Sequence, residues 1–307
     1  MLDGVSLDQL RTFIAAVDEG SFSAAARKLH RVQSAVSGWV GSLEGQLGVR
    51  LFDRSGRFPV LTAEGALLLA DARNIVAGVD TLKARASLMA SGLEAELSVV
   101  VDVFFPTDAV TRAAKAFAQR FPLTPLRLFV EGLGAGYQPL LDGRCSVGIL
   151  AALPLAFPSL ATARLGELPL VTVAAREHPL ASLGGRISRS ELAKHVQLVL
   201  TDRSALMAGQ DYGVWSPATW RLADLSTKHA FLKDGVGWGS MPLHLVERDI
   251  HAGTLALLDT EDMASSGFML AIHAVHRAGA PPGPAGRWFI DYLRTSTAAA
   301  FNPGTNT

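Results

Sequence analysis

Gln33, Ser34 and Ser37 open a short amphipathic stretch, and Arg54 and Arg57 flank a Ser-Gly turn further along the chain. Amide and hydroxyl side chains at the start of a helix can reach base edges and phosphates in a major groove. Ser34 also lies where unpaired backbone N–H groups favour an anion. Arginines at the tip of a tight turn suit a nucleic-acid backbone. Between Ser21 and Thr62 stand six Lys or Arg (27, 28, 31, 50, 54 and 57) and two acids (Glu44 and Asp53), a local net of +4. The whole chain nevertheless sums to zero, with 28 basic and 28 acidic residues in 307. Neutrality by itself speaks against a nucleic-acid partner, because such domains usually carry a basic excess. Here the sum conceals a patch, since acids before Gly20 offset the basic segment after it.

Other constellations do less. Cys145 is the one cysteine, so neither an internal disulfide nor a Cys-rich zinc site can form; it reads as a small buried hydrophobe. His273 and His276 are three apart in a strand-like run, which puts them on opposite faces. His244 and His251 lack a metalloprotease motif. No Gly-x-Ser-x-Gly elbow occurs. Gly235, Gly237 and Gly239 alternate without a dinucleotide fingerprint and fall too late in the chain. The expectation is a protein that is not an enzyme, with no metal and no cofactor.

The elements that must position these residues fall into three zones. Up to about Gly65 the pattern predicts short helices. Leu7, Leu10, Ile14 and Val17 share one face, Gly20 is a stop, and Ser21 or Ser23 can cap an alanine-rich helix from Ala24 to His30. A third helix follows from Ser34 to Leu47 and ends at Gly48. Two short strands then flank the turn at Arg54-Ser55-Gly56-Arg57. A short helix, a tight turn and a second amphipathic helix make a helix-turn-helix, and the strand pair would be its wing. From Ala66 to Ala95, Leu68, Ala72, Ile75, Val79, Leu82, Ala86 and Met89 alternate steps of four and three. That is either a coiled-coil seam or a helix packed on its own domain. From Glu96 onward strands and helices alternate, which implies α/β layers in two lobes. Strands are expected at Leu97–Phe105, Leu126–Val130, Val147–Leu150, Leu168–Ala174, Val196–Leu200 and Phe268–Val275.

The chain is 49% apolar and 18% charged, with a mean hydropathy of +0.26, which excludes a disordered class. No uninterrupted apolar run reaches the roughly 18 residues of a membrane span, and no leader-like segment opens the chain. A cytoplasmic location is expected.

Leu10-Arg11-Thr12-Phe13, Gly20-Ser21-Phe22-Ser23-Ala24-Ala25-Ala26, Gln33-Ser34-Ala35-Val36-Ser37, Leu43-Glu44, Leu47-Gly48-Val49-Arg50-Leu51-Phe52-Asp53-Arg54 and Leu61-Thr62-Ala63-Glu64-Gly65 resemble the N-terminal signature of LysR-type transcriptional regulators. More loosely, Gly143–Ile149 and Gly235–Pro242 resemble segments of that family's C-terminal domain. The resemblance implies an α+β chain. A winged helix-turn-helix (residues 1–65) would precede a long linker or dimerisation helix (66–95). An effector domain (96–307) similar to periplasmic binding proteins would follow, its second lobe at roughly 168–267.

The resemblance further implies promoter DNA as partner, a homodimer or homotetramer, a small-molecule effector between the lobes, and contact with RNA polymerase. It places Ser23, Arg31, Gln33, Ser34, Ala35, Ser37, Gly38, Trp39, Arg54 and Arg57 on the DNA side. The chain departs from the family's usual residues at Gly38 and Trp39. Gly38 offers no side chain, and Trp39 suits thymine methyls and sugars or packing. The effector cleft would be lined by Phe105, Pro106, Thr107 and Leu133 on one side, and by Thr201, Asp202, Arg203, Ser204, Thr227 and Trp238 on the other. Arg203 could clamp a carboxylate, while Asp202 points to a cationic or hydroxylated ligand. The competing reading is a small-molecule-binding protein or enzyme whose N-terminal zone serves assembly.

Overall fold

The structure is a computed structural model that describes residues 4–56, 59–154, 157–207 and 212–301. It divides into two compact units, Met1–Ser91 and Gly92–Thr307.

In the first unit, α1 (Leu7–Asp18) begins at a reciprocal cap. Ser6 Oγ accepts from the Gln9 backbone, and Gln9 Oε1 accepts from the Ser6 backbone, which satisfies two helix-end donors. Gly20 takes φ 68°, a left-handed turn that a side chain disfavours. The chain then enters α2 (Phe22–Lys28), which Ser21 caps. α3 (Gln33–Leu47) ends at Gly48, and β1 (Phe52–Asp53) pairs antiparallel with β2 (Val60–Leu61) to form the wing. Phe13, Val36, Val40 and Leu43 are sealed in the core with Ala25 and Ala26. The Phe52 ring meets Phe13 and Phe22 edge-on, with centroids 5.7 and 5.2 Å apart.

α4 (Ala63–Ala90) has two apolar faces. Leu68, Leu69, Ala72 and Val76 pack on the helical core. Ile75, Leu82 and Met89 are 52%, 65% and 49% exposed and repeat every seven residues, which keeps them on one stripe. The seam expected from Leu68 to Met89 therefore divides: its start packs inward, and the rest faces out.

In the second unit, β3 (Leu97–Asp102), α5 (Thr107–Arg120), β4 (Leu126–Glu131), α6 (Gly134–Leu141) and β5 (Val147–Ala151) form one lobe, its strands parallel. The long β6 (Leu160–Ala175) leads into the other lobe. That lobe holds α7 (Arg189–Leu192), β7 (Gln197–Leu200), β8 (Thr219–Leu222), α8 (Leu225–Lys233), β9 (Trp238–Pro242), α9 (Leu243–His251) and β10 (Leu255–Leu257). β11 (Phe268–Arg277) returns antiparallel to β6 and joins β5, and α10 (Pro284–Phe301) closes the chain. The strand order is β4-β3-β5-β11-β6-β9-β7-β8, with β10 on β6. This is the expected α+β, two-lobed architecture, with β6 and β11 as the crossing strands.

Two expected strands change length. The run from Leu97 to Phe105 stops at Asp102, because the Asp102 carboxylate accepts the Phe104 and Ala151 backbone N–H groups and turns the chain. β6 starts at Leu160 instead of Leu168, since its first half lacks a continuous apolar run and gains its order from pairing with β11. Among the described residues no helix is long and apolar enough to cross a membrane.

Candidate functional sites

The start of α3 faces solvent. Arg31, Gln33, Ser34 and Gly38 are exposed, and Ala35, Ser37 and Trp39 are half-buried. Val32 occupies the N-cap position and supplies no side-chain acceptor, so this helix end presents its first N–H groups outward. Val32 is itself 68% exposed, and the sequence pattern did not single it out. The Arg31 guanidinium lies over the Trp39 ring, 5.5 Å from its centroid. Trp39 therefore packs against a basic side chain of the same surface. Ser23 is exposed on α2 and accepts a hydrogen bond from Arg27 at 3.1 Å.

Arg54 Nη2 donates to Glu44 Oε2 at 2.8 Å, and its guanidinium sits 5.2 Å above the Phe22 ring. The other Glu44 oxygen accepts the Leu51 and Phe52 backbone N–H groups at 2.8 and 3.1 Å. Arg54, exposed on the wing as expected, thus also completes a buckle between α3 and β1. Arg57 lies outside the described residues.

In the second unit a cavity of about 620 Å³ opens between the lobes, within the range of sites for small organic ligands. Its walls are mostly apolar. Phe104 and Ala151–Pro154 come from the first lobe, Leu170 and Leu270 from the crossing strands, and Leu198, Trp215, Lys228 and Ser240 from the second lobe. Leu133 also lines it, at φ 55° in the turn before α6.

The other nine residues expected in the cleft are not among the walls of this cavity, although several adjoin a residue that is. Phe105 is 3% exposed in the main core, whereas Phe104 faces the cavity. Pro106 is buried at the N-cap of α5, and Thr107 is exposed in its first turn. Trp238 is fully buried, and its indole N–H donates to the Leu192 carbonyl. Trp215 stacks parallel on it at 6.2 Å and carries the aromatic surface to the cavity. Thr227 is exposed, and its hydroxyl and backbone N–H bond to the α8 cap residue Asp224. The adjacent Lys228, about 100° round the helix, turns inward.

Thr201–Ser204 follow Leu200 at the cavity's edge. Asp202 Oδ1 accepts the Ala135 N–H at 2.9 Å and the Ser204 N–H at 3.0 Å, and Asp202 Oδ2 accepts the Ser204 hydroxyl. Arg203 is paired with Glu131 of the first lobe. These two charged residues tie the lobes together, and their charges are already used.

Lys228 is 4% exposed, and burial pulls its pKa down to about 8. Its Nζ donates to the Ser240 carbonyl at 2.8 Å. Asp102 is 2% exposed, and burial raises its pKa to about 6 against the opposing pull of two backbone N–H donors. Cys145 is likewise buried, with its thiol pushed up to about 11. Among the described residues no group of His, Cys, Asp and Glu could hold a metal ion.

Comparison with known proteins agrees with this division. Residues 7–66 match the pattern described as "Bacterial regulatory helix-turn-helix protein, lysR family". Residues 90–298 match "LysR substrate binding domain". The uncharacterized HTH-type transcriptional regulator YeeY of Escherichia coli K12 is 32% identical over 254 residues, covering 81% of each chain. The HTH-type transcriptional regulator AceR of Acinetobacter baumannii is 28% identical over 94% of this chain and 97% of its own. Among solved structures, CrgA, a LysR-type transcriptional regulator from Neisseria meningitidis, aligns with a TM-score of 0.51 at 26% identity, covering 95% of this chain and 99% of its own. These relatives are regulators and not enzymes. The chain belongs to the LysR family of transcriptional regulators, with a helix-turn-helix domain that binds DNA and a C-terminal domain that takes a small-molecule effector.

Proposed function

We propose that this regulator reads promoter DNA through the outward start of α3, as an oligomer joined along the exposed stripe of α4, and that an effector in the interlobe cavity sets its state. The observation that carries the DNA reading is the exposed first turn of α3, where Gln33 and Ser34 stand beside Arg31 and no side chain caps the helix. Ser23, Ala35, Ser37, Gly38 and Trp39 are assigned to the same DNA-facing surface, and Arg54 to the wing beside it. The working boundaries are a DNA-binding region 1–65, a linker helix 66–95 and an effector region 96–307. The same reading places the protein in the cytoplasm, with RNA polymerase as a partner at the promoter.

The test is selection of binding sites from a random duplex pool with the full-length chain, followed by footprinting. An interrupted inverted repeat is expected, with affinity falling steeply as salt rises. Gln33→Ala and Ser34→Ala should each relax selection at one position per half-site, with a discrimination loss of about 1–3 kcal/mol. Recovery of the same sequences by both variants would place the reading surface elsewhere.

A further inference from the structure

Lys228 stands on the inward face of α8, and its stem runs beside Gly239 of β9. A Cβ at position 239 would come within 3.2 Å of Lys228 Cε and within 2.6 Å of the Leu198 carbonyl oxygen, so the glycine leaves the room this side chain occupies. The cavity that Lys228 lines is walled largely by apolar side chains, among them Phe104, Leu133, Leu170, Met263, Phe268 and Leu270. A buried charge is costly unless paired. The Ser240 carbonyl takes one of the three ammonium donors, and among the described residues no carboxylate pairs with Lys228. The acids nearby are committed. Asp262 lines the same cavity but is held by Arg189 through bonds of 2.8 and 2.9 Å to the guanidinium Nε. Asp102 is held by two backbone N–H groups, Asp202 by the Ala135 and Ser204 N–H groups, and Glu131 by Arg203. The depressed pKa, about 8, still leaves the ammonium charged at neutral pH.

We propose that the effector is a monocarboxylate on an apolar or aromatic body, and that the Lys228 ammonium is its charge anchor. One unmatched cation fits a single carboxylate better than a phosphate or a polyacid, which would call for further donors. The walls and the volume of about 620 Å³ accommodate the body. This inference rests on the interlobe cavity being the effector site, and it adds the ligand's charge and class.

The test uses the full-length chain at pH 7. Four acids (phenylacetate, 3-phenylpropionate, hexanoate and octanoate) and their primary amides are compared by calorimetry and thermal shift. At least one acid should bind, with its amide at least tenfold weaker. Lys228→Met should weaken that acid at least tenfold without lowering the apo melting temperature. Lys228→Arg, which keeps the charge, should retain a measurable part of the binding. The inference is overturned if no acid binds, if amides bind as well as acids, or if Lys228→Met binds the acid normally. If an amide binds and alters the DNA complex, the charge assignment fails and the effector reading stands. If an acid binds through Lys228 without altering the DNA complex, the anion site stands and the effector reading fails.

Discussion

Asp202 of the second lobe accepts the N–H of Ala135, in the first turn of α6 of the first lobe, at 2.9 Å. The α6 start is the kind of helix end that attracts a ligand anion, and here the chain's own carboxylate takes it. The contact is close: a Cβ on Gly134 would collide with Asp202 and Ser204. Loss of a helix-end acceptor typically costs about 1–2 kcal/mol. Asp202→Ala is therefore expected to lower the unfolding free energy by that amount, seen as a lower urea midpoint with no change in the slope. An unchanged midpoint would mean that the tie between the lobes contributes nothing in solution.

Lys228 predicts the opposite sign for a core substitution. Its folded pKa, about 8, lies below the ordinary 10.5, through burial alone. Between those values the unfolded chain binds more protons, so stability should rise with pH across the window. At pH 7 both states hold the proton, and the folded state bears the full cost, about 3 kcal/mol. Lys228→Met removes that cost and also loses one hydrogen bond to the Ser240 carbonyl, worth about 1 kcal/mol. A net gain of about 1–3 kcal/mol at pH 7 is expected by chemical denaturation, shrinking above pH 8. A loss of stability in the variant would show that the ammonium is well paired in the apo chain.

Arg54 couples the local fold of the wing to DNA contact. It bonds Glu44, which in turn holds two backbone N–H groups of the wing, and it covers the Phe22 ring. With the Arg54 side chain 42% exposed, solvent screens the pair, so Arg54→Ala is expected to cost only about 0.5–1.5 kcal/mol. DNA affinity should fall together with that local loss. Arg54→Lys keeps the charge but not the planar fork, and it should restore less than half of either effect. Full rescue by lysine in both assays would return Arg54 to a purely electrostatic role.

The exposed stripe of α4 predicts assembly. Leu82, 65% exposed between Ile75 and Met89, would lie at the centre of a helix-to-helix seam. Leu82→Asp should shift the chain to monomer in analytical ultracentrifugation at micromolar concentration. It should also weaken operator binding by orders of magnitude, through lost avidity. An unchanged mass would place the interface on another surface.

These contrasts show how far the residues alone could be read. The helix-turn-helix was legible because it is local: Gly20, Ser21 and Gly48 mark its turns within one stretch of chain. The cavity was not, because a side chain's direction depends on the phase of its element. Phe105 and Thr227 were expected in the cleft, and the structure turns Phe104 and Lys228 there instead. Asp102 bends the chain after β3, and Asp224 fixes the start of α8, so each phase is set by a polar contact absent from the apolar pattern. β8 and β10 were missed because short strands gain their order from neighbours distant in sequence. Lys228 gave no signal as one of two lysines in a short helix; only the burial of its helix face marks it.

Gly38 remains the least conventional residue of the reading helix. A glycine inside a helix costs up to about 1 kcal/mol relative to alanine, and a Cβ placed there would meet nothing within 4 Å. Packing in the free protein therefore does not demand it. Gly38 is exposed one turn beyond Ser34, so both lie on the surface offered to DNA. Gly38→Ala should raise the stability of the N-terminal unit by about 0.5–1 kcal/mol. It should at the same time weaken operator binding severalfold, because the added methyl would hold the helix away from the groove. Thermal melts and binding isotherms at fixed salt would read the two effects separately. Higher stability with unchanged affinity would place Gly38 beyond the edge of the contact and leave recognition to Arg31, Gln33 and Ser34.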